Sequence, residues 1–592
     1  MNLPELVVAI VKVLIVILFL LNSAAIATWA DRRQSAMVQD RVGPNRAVVH
    51  LPAMIVRGIM LLPPAILGVL ALQPAVPIFG AYHALERGNP NPGEILLLSL
   101  QFAILVGWFN LLVLSGLARR NGQTTGLAKI DPRSVFYGGV AMHAVGFVIV
   151  SAVPAASVLM AARGAAGLLA AVLFASGLYA ASLVPEGLIP IRLAGTLHAI
   201  ADTMKMIWKE DFIPKNADRV LHGLAPILAM FPALITFAVI PFGQSLCVGG
   251  SPSQPLTFSD LGHVAPTMGQ TFSCKGHAIP LQVADLNVGI LYLFAMAGTG
   301  VIGAAIAGWA SDNKFSLLGG IRAASQMVSY EVAMGLSLVG LFIIYGSVRM
   351  GPMVEWQQAN AWGIFVQPFA FFLFLAALAA ETKRVPFDAP EGESEIVAGY
   401  FVEYSGMKWG MFMTGEYVEL ISSSALLVTL FFGGYSLPFL HGDGVTVTFG
   451  DTTVFDYRMN HLAVVVISAL AFFAKSVFMV WVQIFFRWTL PRFRYDQVMK
   501  LGWTKLLPMA LANMMLTGVI VLALDNAGPR VSSILKIAAD VSQAVVAVGA
   551  VAGFVAVVVG LLEPVERKRF LHSTANRFAA AAGGTKATPQ QA

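Results

Sequence analysis

The chain reads as an all-α, polytopic transmembrane protein of about thirteen spans, on three observations. Apolar residues fill 57% of its 592 positions and charged residues only 12%, with a mean hydropathy of +0.75. Soluble domains carry about 25% charged residues. Apolar runs of about 20 residues, long enough to cross a bilayer, recur along the chain. The lysines and arginines gather in alternate gaps between those runs, as they do when one side of a membrane retains them.

In order, spans are expected near residues 5–30, 52–79, 94–117, 135–160, 164–185, 224–243, 285–309, 325–348, 361–380, 409–434, 461–486, 503–524 and 538–562. The first run, Leu6–Trp29, is too long for a signal-peptide core and lacks a basic leader, so it reads as a span. If it ends on the cytoplasmic side, that side holds Arg32, Arg33, Arg41 and Arg46, then Arg119, Arg120, Lys129 and Arg133, then Lys205, Lys209, Lys215 and Arg219. Further along it takes Lys383, Arg384 and Lys408, the basic residues from Arg487 to Lys505, and Arg567-Lys568-Arg569. This predicts a bacterial inner-membrane protein with its N-terminus periplasmic and its C-terminus cytoplasmic. The tail after Phe578 has the composition of a disordered segment. The net charge of +6 follows the topology and does not point to nucleic acid.

Two long loops fall on the opposite side. Leu246–Ala284 contains the two cysteines, Cys247 and Cys274, which can pair in an oxidising periplasm or remain thiols. Tyr435–Asn460 alternates apolar and polar residues around Val445–Phe449 and reads as a short hairpin. Two cysteines are too few for an iron–sulfur cluster, which needs about four ligands, or for a four-cysteine zinc site. The chain also lacks a HExxH, a P-loop and a dinucleotide glycine fingerprint. It is expected to bind no metal or flavin of its own. A redox group must then be a lipid-soluble substrate or belong to partner subunits.

Charge within the apolar framework is concentrated in ETKRVPFDAPEGESEIVAGYFVEYSGMKWGMFMTGEYVE, residues 381–419. From Glu381 to Glu403 it sets six of the 32 acidic residues within 23 positions. A solvated loop accounts for Glu391, Glu393 and Glu395 as well as a site does. It does not account for Glu416 and Glu419, three apart on one helical face inside an apolar run. A charge at the bilayer centre costs about 2.5–3.5 kcal/mol on insertion scales, so such carboxylates point to function.

Four further stretches carry polar patterns. Asp31–Asn45 ends in a Gly-Pro-Asn turn that leaves arginines just below the first span, where topological anchoring also explains them. In LHAIADTMKMIWKE, residues 197–210, Ile200, Met204, Ile207 and Trp208 share one face and Asp202, Lys205, Lys209 and Glu210 lie around the other. That is an amphipathic helix for the membrane interface. Residues 309–331 put Glu331 a turn or two inside the next span. RWTLPRFRYDQVMKLGW, residues 487–503, interleaves basic and aromatic residues; anchoring explains its charges but not its acid and tyrosine.

The segments QDRVGPN (39–45), ADTMKMIWKED (201–211), AGWASDNKFSLLGGIRAASQMVSYEV (307–332), ETKRVPFDAPEGESEIVAGYFVEYSG (381–406), GEYVE (415–419) and RWTLPRFRYDQVMKLGW (487–503), in this order, resemble the quinone-chamber membrane subunit of respiratory complex I, the NADH–quinone oxidoreductase. The resemblance covers the first 46 residues and most of about 190–525. Three departures stand out. Asp31-Arg32-Arg33 replaces Glu-Arg-Lys, Leu197-His198-Ala199 replaces Leu-Gln-Pro, and about 140 residues are inserted between Arg46 and Ile191, with one more span after Asp525. The organisation implied is a first span and turn (1–46), an inserted four-span module (47–190), a quinone-chamber core (191–525), and a last span with its tail (526–592). With the family's eight spans, these make about thirteen. In the insertion, His83, Glu86 and His143 are the strongest polar candidates, read as structural.

The resemblance implies a narrow tunnel, entered from the bilayer, for a quinone (ubiquinone or menaquinone) lined or shaped by Asp31, Arg32, Arg41, Asp202, Lys205, Arg384 and Phe387. It implies that Glu331, Glu381, Asp388, Glu391, Glu393, Glu395, Glu403 and Glu416 begin a proton relay. The partners implied are the peripheral-arm iron–sulfur and quinone-site subunits, the small and antiporter-like membrane subunits, and membrane lipid, with the iron–sulfur clusters held by partner subunits. A homologous subunit of a membrane-bound hydrogenase or another ferredoxin-linked complex is the nearest alternative. An autonomous transporter would show internal repeats, and none is evident.

Overall fold

The structure, a computed structural model, describes residues 3–39, 44, 49–52, 188–191, 196–249, 257, 260, 267–268, 273–274, 276–441, 444–449, 452–458, 461–526 and 529–562. The spans expected at 94–117, 135–160 and 164–185, nearly all of 52–79, residues Arg41, His83, Glu86 and His143, and the tail after Phe578 lie outside the described residues. The chain divides into two compact units, one of residues 1–59, 74–90 and 184–548, the other of 60–73, 91–183 and 549–592.

The first unit is a helix bundle. Helix α1 (Leu3–Val38) is followed by strands β1 (Val49–Pro52) and β2 (Leu188–Ile191), which pair antiparallel with Val49 opposite Ile191. The two ends of the stretch 53–187 are thus held together. Helix α2 (Leu197–Trp208) turns out its apolar face, with Ile200, Met204, Ile207 and Trp208 exposed as an interfacial helix requires. Helices α3 (Arg219–Thr236), α4 (Gly289–Ala310) and α5 (Lys314–Tyr345) follow. Next come α6 (Met350–Ala359), α7 (Gly363–Val366), α8 (Pro368–Glu381) and the one-turn α9 (Glu393–Ile396). The last are α10 (Gly406–Phe431), α11 (His461–Thr489), α12 (Tyr495–Leu501), α13 (Leu507–Asp525) and α14 (Pro529–Leu562), of which residues 529–548 belong to this unit. Among the described residues, six helical stretches are long and apolar enough to cross a membrane.

Two elements differ from expectation. Helix α5 begins at Lys314, capped by the Asn313 side chain accepting from the Phe315 N–H (2.9 Å). Glu331 therefore sits mid-helix, not a turn or two in. The first turns of α5 pack on Gly399–Phe401: Ser316 donates to the Tyr400 carbonyl (2.9 Å), and a Cβ at Gly319 would lie 2.5 Å from the Tyr400 nitrogen. The expected span 361–380 is broken at Gln367, after which Pro368 opens α8 with the N–H that a helix start leaves unpaired already absent.

A break inside a membrane must have its backbone groups satisfied by protein. The Gln357 Oε1 accepts from Gly363 and Gly433 N–H groups (both 3.0 Å). Gln367 donates to Thr517 (2.7 Å) and accepts from Asn513 (3.1 Å). From α14, Gln543 donates to the carbonyls of Gln358 (3.2 Å) and Asn360 (2.8 Å), tying α14 to the end of α6.

The strand end of the bundle carries β3 (Gly243–Val248) paired with β6 (His277–Leu281), and β4 (Thr267–Met268) paired with β5 (Ser273–Cys274). Cys247 and Cys274 form a disulfide, which decides the pairing the sequence left open. The Ser468 hydroxyl and the His461 ring accept from the Gln244 and Cys247 N–H groups (3.1 Å each), seating β3 on α11. The expected hairpin is β8 (Gly444–Phe449) with β9 (Thr452–Arg458), joined by β7 (Leu440–His441) as a third strand.

Candidate functional site

At the other end of the bundle, residues 382–405 form a long connection that is tied in at many points. Gln326, fully buried on α5, donates to the carbonyls of Ala380 and Phe387 (2.8 Å each), so one amide holds both ends of the turn after α8. The segment 487–503 crosses this turn as a strap. The Phe493 N–H donates to the Pro386 carbonyl (3.0 Å), Tyr330 donates to the Val498 carbonyl (2.8 Å), and Tyr495 shares a hydrogen bond with Ser325 (2.9 Å). The strap thus meets the turn through Phe493, and α5 through Tyr495 and Val498.

Asp31 lies at the centre of a knot of four elements. It is 5% exposed and accepts from Tyr417 (2.8 Å), Arg487 (2.7 Å) and Trp488 (2.7 Å), with Arg384 at 3.9 Å. Arg384 lies over the Tyr417 ring at 4.1 Å, and its Nε and Nη1 make no hydrogen bond among the described residues. One residue further along α1, Arg32 pairs with Asp202 and docks α2; Lys205 is exposed on that helix. Lys408 pairs with Asp211 (2.9 Å) to hold the segment after α2 against α10. Phe387 is buried, its ring packed against Tyr330 (5.4 Å) and Phe493 (5.5 Å), so it shapes the wall from within the core.

The carboxylates divide by surroundings. Glu381, at the last residue of α8, and Glu416, on α10, are buried; Glu416 accepts from Tyr400 (3.1 Å). Asp388 is buried against Arg492. Burial pushes its carboxyl up to about 6, and Arg492 holds it from rising further while Glu416 adds to the rise. Glu391 is half-buried; burial of its carboxyl, then the Glu416 carboxylate, pushes it well up. Burial and Glu416 likewise push up the Tyr400 phenol. Glu331 faces α4 at Gly298, where a Cβ would stand 3.1 Å from its Oε1, so the glycine leaves room for the acid. Glu395 is exposed and pairs with Arg322 (2.6 Å), and Glu403 accepts from Asn313 (2.6 Å), both at the rim. Glu393 opens α9; its side chain, like Arg41, lies outside the described residues.

The structure thus brings Asp31, Arg384, Glu381, Asp388, Glu391 and Glu416 together out of water, at the end of a bundle built for a bilayer. A family model for NADH dehydrogenase matches residues 187–518. The chain belongs to the NADH dehydrogenase family. It is 41% identical over 328 residues to an H-type chain of the NADH-quinone oxidoreductase of Cytophaga hutchinsonii, spanning 55% of this chain and 84% of that one. It is 43% identical over 324 residues to an H-type chain of the NADH-quinone oxidoreductase of Geobacter sulfurreducens, spanning 55% and 82%.

The stretch matched by the NADH dehydrogenase family begins at residue 187, yet α1 is folded into the same bundle through Asp31. Several residues of this family member escaped the candidate set. Lys383, buried beside Arg384, pairs with Glu419 at 3.3 Å. Burial works against its charge, but Glu419, Glu416 and Glu381 outweigh burial and hold its ammonium above the usual range. The three-residue step from Glu416 to Glu419 pointed to Glu419; nothing local marked Lys383 as its partner. Tyr417, Arg487 and Arg492 became visible only through the acids they bind.

Proposed function

We propose that the chain is the quinone-chamber membrane subunit of a proton-translocating NADH–quinone oxidoreductase. The observation that carries this is the cluster of buried acids and arginines around Asp31, Arg384 and Glu416 at one end of a membrane-type bundle. Reduction of a quinone takes two electrons and two protons. The electrons come from an iron–sulfur cluster on a partner subunit, since this chain offers four thiolates nowhere. The protons need acids whose occupancy responds to charge nearby, and closely spaced buried carboxyls titrate as a group.

In this reading Asp31, Arg32, Arg41, Asp202, Lys205, Arg384 and Phe387 line or shape the passage, and the apolar face of α2 guides the isoprenoid tail from the bilayer. Glu381, Asp388, Glu391 and Glu416, with Glu331, Glu393, Glu395 and Glu403, begin the relay toward antiporter-like membrane subunits. The protein lies in a bacterial inner membrane with the acid cluster on the cytoplasmic side and the disulfide in the periplasm. Residues 47–190 form an added four-span module, supported by the meeting of its two ends in β1 and β2. The relatives' names favour a quinone enzyme over a hydrogenase.

The test is Glu416→Gln in the assembled enzyme. Proton uptake per quinone reduced in inverted vesicles is expected to fall at least about tenfold, as removal of a relay acid predicts. Full pumping and full quinone reduction in that variant would sink the role.

A further inference from the structure

Behind the Arg384 knot, α3, α4, α5, α8 and α10 line a pocket of about 50 Å³. Most of its wall is apolar; the polar groups include Glu381, Lys383, Glu419, Ser422, Ser423 and Thr236. The charged groups of the lining are Glu381, Lys383 and Glu419, since α3, α4 and α5 contribute no titratable side chain to it. Glu331 and Glu416 act on these groups from outside the lining. Glu381 is 4% exposed, and neither carboxyl oxygen has a hydrogen-bond partner among the described residues. A buried, unpartnered carboxyl beside a space that also carries Lys383, Glu419 and hydroxyl groups calls for water, and the volume takes about three molecules. Lys383 stands on one side of this space, its Nζ 3.3 Å from Glu419.

We propose that Glu381 and Glu419 share one proton across this cavity and that the Lys383 ammonium selects which of them is ionised. The inference rests on the proton-translocating reading and deepens it, adding Lys383 and Glu419 to the groups that handle the proton. With Lys383 on the Glu419 carboxylate, Glu381 holds the proton. When Nζ moves to Glu381, the Glu381 O–H bond breaks, the proton passes through cavity water, and an O–H bond forms on Glu419. The lysine keeps its three protons. One carboxylate and one ammonium are present before and after, so the exchange adds no net charge to the site, where an unpaired buried ion is costly. Lys383 is the chain neighbour of Arg384, whose guanidinium faces the Asp31 knot.

The test is an infrared titration of the Glu381 carboxyl band in the detergent-purified whole complex, assigned by its loss in E381Q. K383Q removes the cation and keeps the Glu419 anion, so the pH at which the band disappears moves up by about one unit. E419Q keeps the cation and removes the anion, so the midpoint moves down by about one unit. The double variant K383Q/E419Q leaves no unpaired charge to block assembly, and its midpoint falls between those of the single variants. Midpoints that move the same way or stay put overturn the proposal, because loss of packing around a shared cavity acts alike on both variants. A double variant with wild-type pumping and pH profile overturns it too. The titration is read without turnover, so an assembled enzyme that reduces no quinone counts against the functional reading and not against the proton exchange.

Discussion

Asp388 shows how one residue's surroundings set its chemistry. A solvated aspartate loses its proton near pH 4, whereas burial beside Glu416 lifts Asp388 to about 6 even with Arg492 in contact. Above that pH it is a carboxylate neutralising Arg492; below it the pair becomes a neutral acid beside a bare cation. Quinone reduction in the assembled enzyme is therefore expected to fall as pH drops through about 6. In Asp388→Asn that limb is expected to vanish, leaving the low rate at every pH. A rate profile over pH for the two enzymes checks this, and an unchanged acid limb in the variant would count against it. The sequence showed Asp388 only as one of six acids in a polar stretch; its neighbours Arg492 and Glu416 are what separate it from the exposed Glu395.

At the scale of elements, the strap 487–503 and α1 are joined through a single carboxylate. Asp31→Asn leaves Arg487 and Arg384 without their shared counter-charge in a buried place, a cost of about 3–5 kcal/mol. The amount of this chain recovered in the assembled complex is expected to drop by tenfold or more, on the order of 1.4 kcal/mol per decade. Glu395→Gln, in the exposed pair with Arg322, should change recovery less than about twofold. Equal recoveries for the two would show that Asp31 does not hold these elements together. The helices themselves follow from runs of apolar residues, and most lie where those runs place them. The start of α5 does not, because a cap and a packed loop, not hydropathy, decide where that helix begins. The break before α8 was equally hidden, since Gln367 looks like one polar residue in an apolar run until Thr517 and Asn513 are seen beside it.

For the whole molecule, the bundle has two unlike ends: acids and arginines at one, a disulfide-linked set of strands at the other. If the acid end faces the cytoplasm, Cys247 and Cys274 face an oxidising compartment. A membrane-impermeant maleimide is then expected to label intact cells only after an impermeant reductant is added. Inverted vesicles given the same reagents should remain unlabelled, and Cys247→Ser/Cys274→Ser should abolish labelling. Labelling of inverted vesicles instead would reverse the topology.

The sequence by itself determined that this is a multi-span helical membrane protein, where most of its described helices run, and which short segments carry charge against an apolar background. These are properties of neighbours along the chain, and the cost of placing a polar group in hydrocarbon makes them legible. Only the tertiary structure decided which charges meet. Asp31 and Arg487 are separated by 456 positions, and Lys383 and Glu419 by 36. No periodicity links such pairs; they are brought together by helix packing, and burial then makes each ion depend on the partner it finds.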